Sequence, residues 1–226
     1  MEDKVHLIKA TYIDHMGSDL SVCNSARVSF GKQTQWHDHD SETDQYVLKQ
    51  KDSKLINFLA EHKHLSPFGH CFASFHVKAP LFVARQLVKH KFLRWNEISR
   101  RYVDSKPEFY EPGEWRGRSA NKKQGSDGVV PLYIDQDMQW HRQLSIYENM
   151  LDNARIVLPQ SMMTEWHWSG SLDAFAAMCV LRCAEDTQYE SRLVANKIDI
   201  KMKELFPVSW AALVPSKSTI NKTIRP

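Results

Sequence analysis

The densest concentration of chemically capable side chains in this 226-residue chain lies at residues 89–102, KHKFLRWNEISRRY. Five fixed cations, Lys89, Lys91, Arg94, Arg100 and Arg101, stand against one carboxylate, Glu97, with His90, Asn96, Ser99 and Tyr102 among them. Such a cluster repels itself unless an anion fills it. Arginine forks and lysine point charges suit phosphate oxygens. A surface that only neutralises phosphates needs no further polar groups. Asn96, Glu97 and Ser99 supply the donors and acceptors that a pocket uses to read a base or a flavin edge. Ser99 has no adjacent base in its segment, since His90 is nine residues away. It reads as a binding hydroxyl and not a nucleophile. Arg182, between Leu181 and Cys183 in an apolar stretch, needs either a ligand anion or a buried carboxylate, because an unpaired buried charge is costly.

Other candidate groups carry less. Cys179 and Cys183 are four apart on one face of an expected helix, with Cys23 and Cys71 elsewhere. No further ligand sits at metal spacing, so buried free thiols in a reducing compartment are expected and no metal site. His37 and His39 flank Asp38 in a polar loop, two ligands without a third. Trp166 and Trp168 alternate around His167 like a short packing strand. Lys122 and Lys123 read as solvated.

The elements that must position these groups follow from periodicity. Strands are expected at 5–13 and 70–77, a short helix at 19–28, a polar loop at 31–44 and a helix at 43–62. Pro80 opens a helix over 80–91, in a first-turn position where its missing N–H costs little. Residues 113–131, rich in Gly, Ser and charge, read as a long loop. Helices follow at 135–158, at 171–184 with Ser171 and Asp173 as caps, and at 189–206 with Pro207 as the stop. No repeat or boundary divides 1–226, so the expectation is one α+β domain with a mixed or antiparallel sheet and several packed helices.

Composition bounds the function. Hydrophobic residues make up 42% and charged residues 25%, which excludes a collagen, a disordered tail or a coiled coil. Thirty basic against 27 acidic residues leave a net charge of +3, too mild for bulk nucleic-acid binding. A nucleic-acid module using the patch at 89–101 is the competing reading, and it requires a steep salt dependence. The N-terminus has no apolar signal region and no run of about 18 apolar residues occurs, so a cytoplasmic protein without a membrane partner is expected.

The segment FHVKAPLFVARQLVKHKFLRWNEISRRY resembles the core of the flavin-dependent thymidylate synthases (thymidylate synthase complementing proteins). The family signature is Arg-His-Arg, seven residues, then Ser, within Asn-Glu-x-Ser-x-Arg-Tyr. Lys89-His90-Lys91 takes the first place, and Asn96, Glu97, Ser99, Arg101 and Tyr102 match. HKHLSPFGH (62–70), ARIVLP (154–159) and LRCAEDTQYE (181–190) resemble three further family segments in the same order.

The resemblance implies methylation of deoxyuridine monophosphate at C5, with carbon from methylenetetrahydrofolate and a hydride from FAD reduced by NADPH. It implies an α+β homotetramer whose active sites lie where subunits meet. Gln86, Lys89, Glu97, Ser99, Arg100, Arg101, Arg155 and Arg182 would surround the nucleotide, with Arg155 from a neighbouring subunit. Ser66, Lys89, His90, Lys91 and Glu97 would contact FAD. Arg182 would be catalytic, stabilising the ionised uracil N3, and His64 and Tyr102 would lie near the folate. The chain departs from the pattern at Lys89 and Lys91, at Gly69 where many members have Glu, and at Asp186 where many have His. Ser171 and Asp173 stand where some members have Asn and Arg at the flavin, so neither role is carried over. These departures leave room for a related one-carbon transfer, such as hydroxymethylation of the ring.

Overall fold

Two long runs of alternating residues create the centre of the molecule. The structure, a computed structural model, describes residues 7–40, 45–103, 105–120, 125–130, 136–149 and 154–215. Strand β4 (Phe72–Pro80) pairs antiparallel with β8 (Met163–Ser171), from Phe72 opposite Ser171 to Pro80 opposite Met163. β1 (Lys9–Met16) lies along the other edge of β4, and β5 (Leu93–Glu97) along the other edge of β8. The sheet order is β1-β4-β8-β5 with every pairing antiparallel. The alternation sends Phe75, Val77, Trp166 and Trp168 to one face, where all are buried. The opposite face carries Ser74, His76, Glu165, His167 and Ser169, tied by Ser74–Ser169 and His76–Glu165 contacts, each 2.9 Å.

Helices close the apolar face. α5 (Leu172–Arg182) contributes Leu172, Phe175, Met178 and Cys179, and α6 (Tyr189–Leu205) contributes Val194, Ala195, Ile198 and Met202, all buried. Trp95 stacks on Trp166 at 4.2 Å between ring centroids, and Phe175 meets Trp168 and Phe75 edge-on at 5.6 and 5.4 Å. Each buried aromatic of this kind removes about 150–250 Å² from water, roughly 4–6 kcal/mol of gross hydrophobic gain before entropy. α1 (Asp19–Arg27) and α2 (Gln50–Glu61) pack against each other. Asp19, buried, accepts backbone N–H bonds of 2.9 Å from Val208 and Ser209, fastening α1 to the start of α7 (Pro207–Leu213). No helix among the described residues is long and apolar enough to cross a membrane.

Several sequence expectations change. The first strand is Lys9–Met16 and not 5–13, because pairing with Lys78 through Phe72 sets its ends; residues 5 and 6 lie outside the described residues. The expected 31–44 loop and the start of the 43–62 helix hold a small hairpin, β2 (Asp38–Asp40) with β3 (Gln45–Val47), so α2 starts only at Gln50. The 70–77 strand is preceded by a 3-10 turn, Ser66–His70, and runs on to Pro80. Within the 113–131 loop, β6 (Arg116–Arg118) pairs with β7 (Ser126–Val129); Lys122 and Lys123 lie outside the described residues. The 135–158 helix is α4 (Gln136–Asn149) followed by a 3-10 turn, Ala154–Val157, with 135 and 150–153 outside the described residues. Pro207 does not merely stop α6: it opens α7, since a proline at the first helical turn is a good start.

The change that matters for the site is at 80–91. Pro80 is the N-cap and α3 covers only Leu81–Leu87. The chain then turns, with Phe92 at φ 64°, and enters edge strand β5. This turn lies so close to β8 that a Cβ on Gly170 would come 2.9 Å from the Phe92 carbonyl oxygen. Gly170→Ala is therefore expected to lower the melting temperature by roughly 3–10 °C, the effect of overpacking a tight contact. Gly69→Ala, whose Cβ would meet nothing nearer than Asp173 at 4.0 Å, is expected to change it by about a degree or less. Calorimetry on both variants checks this, and equal melting temperatures would show that the β5–β8 approach is looser.

Candidate functional site

Three chain segments converge on Arg182. The end of α5 carries it, the end of α3 and the following turn carry Gln86 and His90, and the start of α6 carries Ser191, with Gln188 at its N-cap. Arg182 Nε donates to His90 Nε2 at 3.0 Å, and Arg182 Nη2 to the Gln86 carbonyl oxygen at 3.5 Å. The Gln86 side chain is clamped in turn: Ser191 Oγ donates to its Oε1 at 3.0 Å, and its Nε2 donates to Gln188 Oε1. Burial, and after it the charge of Arg182, push the His90 pKa down from 6.5 to about 4. His90 is thus neutral at pH 7, with Nε2 the acceptor and the proton on Nδ1. Burial also lowers the Arg182 pKa, yet a guanidinium keeps its charge. Arg182 forms no ion pair with a carboxylate among the described residues. A half-buried cation held by neutral groups is a ready partner for an anion.

β5 and the loop after it present the second group. Glu97 is fixed at both oxygens, accepting from Thr164 Oγ1 at 2.6 Å and from Trp95 Nε1 at 3.1 Å. Ser99 Oγ accepts the backbone N–H of Arg101 at 3.3 Å and has no base beside it among the described residues. Arg100 Nη1 donates to the Ser105 carbonyl at 2.6 Å, while its enclosed Nε has no partner among the described residues. Lys89, Lys91, Arg94 and Arg101 are exposed and form no ion pair among the described residues.

A cavity of about 550 Å³ opens between the Ser66–His70 turn, the start of β5 and the start of α5. Ser66, Gly69, Phe92, Arg94, Ser171 and Asp173 are among its lining. Its size falls within the range of cofactor and ligand pockets. Apolar walls with Ser66, Ser171 and Arg94 suit a flat ring bearing polar edges, and an enclosed Asp173 Oδ1, without a hydrogen-bond partner among the described residues, faces Gly69. A flavin fits this donor and acceptor set.

Of the residues singled out from sequence, Gln86, His90 and Arg182 come together as one knot, and Ser66 lines the cavity. His64 is exposed beside Phe58 and His62, its ring 6.2 and 6.4 Å from theirs. Tyr102 is 83% exposed, a bare ring available for stacking. Arg155 lies in the turn Ala154–Val157, and its side chain is outside the described residues. Gln188, Ser191 and Arg94 carry structural or lining roles that sequence reasoning did not assign. Gln188 sat inside the resembling 181–190 segment, which was the available signal. All four cysteines are free thiols as expected, with Cys23, Cys71 and Cys179 buried and Cys183 half-buried, and Asp199 brings a third ligand atom within 4.8 Å of the Cys179 and Cys183 sulfurs. Its carboxylate accepts Trp210 Nε1 at 2.8 Å, and burial raises the Cys179 thiol well above its ordinary pKa.

The sequence profile described as thymidylate synthase complementing protein matches residues 11–208. A flavin-dependent thymidylate synthase of Thermus thermophilus is 36% identical over 210 residues, covering 88% of this chain and 73% of that protein. Another, of Kosmotoga olearia, is 33% identical over 214 residues, covering 89% and 88%. The crystal structure of a UMP/dUMP methylase, PolB from Streptomyces cacaoi, bound with 5-Br dUMP, superposes with a TM-score of 0.74 at 25% identity, covering 91% of this chain and 94% of that one.

The His90–Arg182 contact has a pH signature. Below about pH 6.5 the unfolded chain protonates this histidine, whereas the folded chain does so only near pH 4. The unfolded state binds more protons in that window, so stability rises with pH from 4 to 6.5. The melting temperature is expected to fall on acidification through the window, and His90→Gln to flatten part of the slope. Parallel pH profiles for the two proteins would separate His90 from Arg182.

Proposed function

Because this chain belongs to the thymidylate synthase complementing protein family, we propose that it methylates deoxyuridine monophosphate at C5, using methylenetetrahydrofolate, FAD and NADPH. The observation that carries the reading is Arg182, a half-buried guanidinium held by neutral His90 and Gln86 with no carboxylate beside it among the described residues. Uracil N3 is a weak acid. A fixed cation at N3 stabilises its anion, which raises electron density at C5 toward the one-carbon unit. His90 serves by staying neutral: protonated, it would place a second positive charge against Arg182 and drive the guanidinium away. The Gln188–Gln86–Ser191 clamp holds the Gln86 side chain for contact with the nucleotide.

Arg100, Arg101 and Lys89 supply charge for the phosphate, and Ser99 a hydroxyl. The absence of a base beside Ser99 among the described residues supports binding over nucleophilic attack. Glu97, its oxygens already oriented by Thr164 and Trp95, has lone pairs left for ribose or flavin donors. Ser66 with Lys89, His90 and Lys91 would hold FAD at the cavity edge, and His64 and Tyr102 would lie by the folate. The flavin supplies the hydride that completes the methyl group. Exposed cations at 89, 91 and 101 suit a homotetramer in which Arg155 of a neighbouring subunit completes the phosphate site, since like charges gathered on one surface favour an anion between chains.

Two experiments test this. Mass analysis after incubation with deoxyuridine monophosphate, methylenetetrahydrofolate, FAD and NADPH is expected to show a product heavier by one CH2. A product heavier by CH2O would replace methylation with hydroxymethylation, and no product would reject the activity. Arg182→Ala is expected to reduce turnover about 10²–10³-fold, the cost of losing a preorganised charge contact. Its melting temperature should stay near wild type, and near-normal turnover would remove Arg182 from the chemistry.

A further inference from the structure

We propose that Cys179, Cys183 and Asp199 form a binding site for a thiophilic divalent cation, zinc by its ligand chemistry, where the end of α5 meets α6. Local spacing put two cysteines on one helix face and offered no third ligand. The third comes from α6, on the neighbouring helix. One ligand atom from each of the three residues lies within 4.8 Å of the other two, and among the described residues this is the one such gathering. The Cys183 backbone N–H donates to the Cys179 carbonyl at 2.9 Å, which keeps the two side chains on one face, a turn apart. Zinc bonds of about 2.3 Å to sulfur and 2.0–2.2 Å to oxygen, at tetrahedral angles, set ligand atoms roughly 3.5–3.8 Å apart. The three atoms therefore need to close by little more than about 1 Å, a side-chain rotation.

The donor set selects the ion. Two thiolates disfavour calcium and magnesium, which take oxygen ligands. A carboxylate beside them favours zinc over monovalent copper, which prefers sulfur alone. The carboxylate is already held: Trp210 Nε1 donates to Asp199 Oδ1 at 2.8 Å, and Oδ2 has no donor among the described residues. A donor on one oxygen orients the other for the ion, as outer partners do in metal sites. Cys179 is enclosed and Cys183 half-exposed, so the ion enters past Cys183, and water fills its fourth position. Without the ion the Cys179 thiol keeps its proton, because burial raises its pKa, and directs its S–H to the Ala195 carbonyl at 3.7 Å. Zinc takes the place of that proton, which leaves to solvent. Cys183 directly follows Arg182, so a bound ion ties the turn carrying this guanidinium to α6.

Titration of cobalt(II), the spectroscopic stand-in for zinc, into the full chain tests this, with the protein kept reduced and first freed of metal by a chelator. One equivalent per chain is expected to give a sulfur-to-cobalt charge-transfer absorption, and zinc to abolish it by displacement. Cys183→Ser and Asp199→Asn, both close in shape to the native residues, should each weaken cobalt binding about tenfold or more. Affinity should rise with pH, since thiolate ligands shed protons on binding. The melting temperature should rise by roughly 5 °C or more when zinc stands at about a hundred times its Kd. A wild type without the thiolate absorption would overturn the proposal. Unchanged cobalt affinity in either variant, checked as folded by its melting curve, would overturn it as well. Cys183 is half-exposed, so that variant gives an answer even if substitution of the enclosed Cys179 prevents folding.

Discussion

Residues 88–92 must turn the end of α3 into an edge strand within five residues, and the whole site depends on how that is done. Leu87 is buried and ends the helix, Phe92 takes a left-handed backbone, and the β8 backbone at Gly170 leaves room for the turn to approach. Once β5 is seated on β8, His90 is carried to Arg182 and Phe92 and Arg94 to the cavity. Core packing and site geometry are thus one constraint. The Trp95–Trp166 stack that holds β5 down also holds the strand from which Glu97 projects.

The cations divide by burial. Those at 89, 91, 94 and 101 stand in water, where charge is cheap and range is set by salt screening. They can draw an anionic ligand in but hold it weakly. Arg182 is half-buried and, among the described residues, balanced by dipoles alone, the imidazole of His90 and the Gln86 carbonyl. Lower polarity around it strengthens whatever anion it meets. A neutral histidine suits this position because a carboxylate there would neutralise the guanidinium before any ligand arrived.

Legibility tracked the origin of the stabilising contacts. β4, β8, α5 and α6 each carry a periodic apolar face that a single core buries, and their existence could be read from spacing alone. β5 could not, because its five residues put Arg94 and Asn96 out and only Leu93 and Trp95 in. An edge strand is commonly charged, and in sequence that charge reads as a solvated loop. The hairpins β2–β3 and β6–β7 are three- or four-residue strands whose hydrogen bonds to each other leave almost no hydrophobic record.

The site divides in the same way. Residue types by themselves determined that residues 89–102 seek an anion, that Arg182 in an apolar helix needs a partner, and that Ser99 lacks a base. They did so because charge and hydrogen-bonding capacity belong to side chains wherever these are placed. Which groups meet was decided by tertiary structure: His90 Nε2 against Arg182, Gln188 and Ser191 around Gln86, and an Asp173 oxygen, without a hydrogen-bond partner among the described residues, facing Gly69. These partners are separated by about ninety to just over a hundred residues in the chain. Only the antiparallel sheet and the helices laid on it bring them within hydrogen-bonding distance, and no local spacing in the sequence encodes that approach.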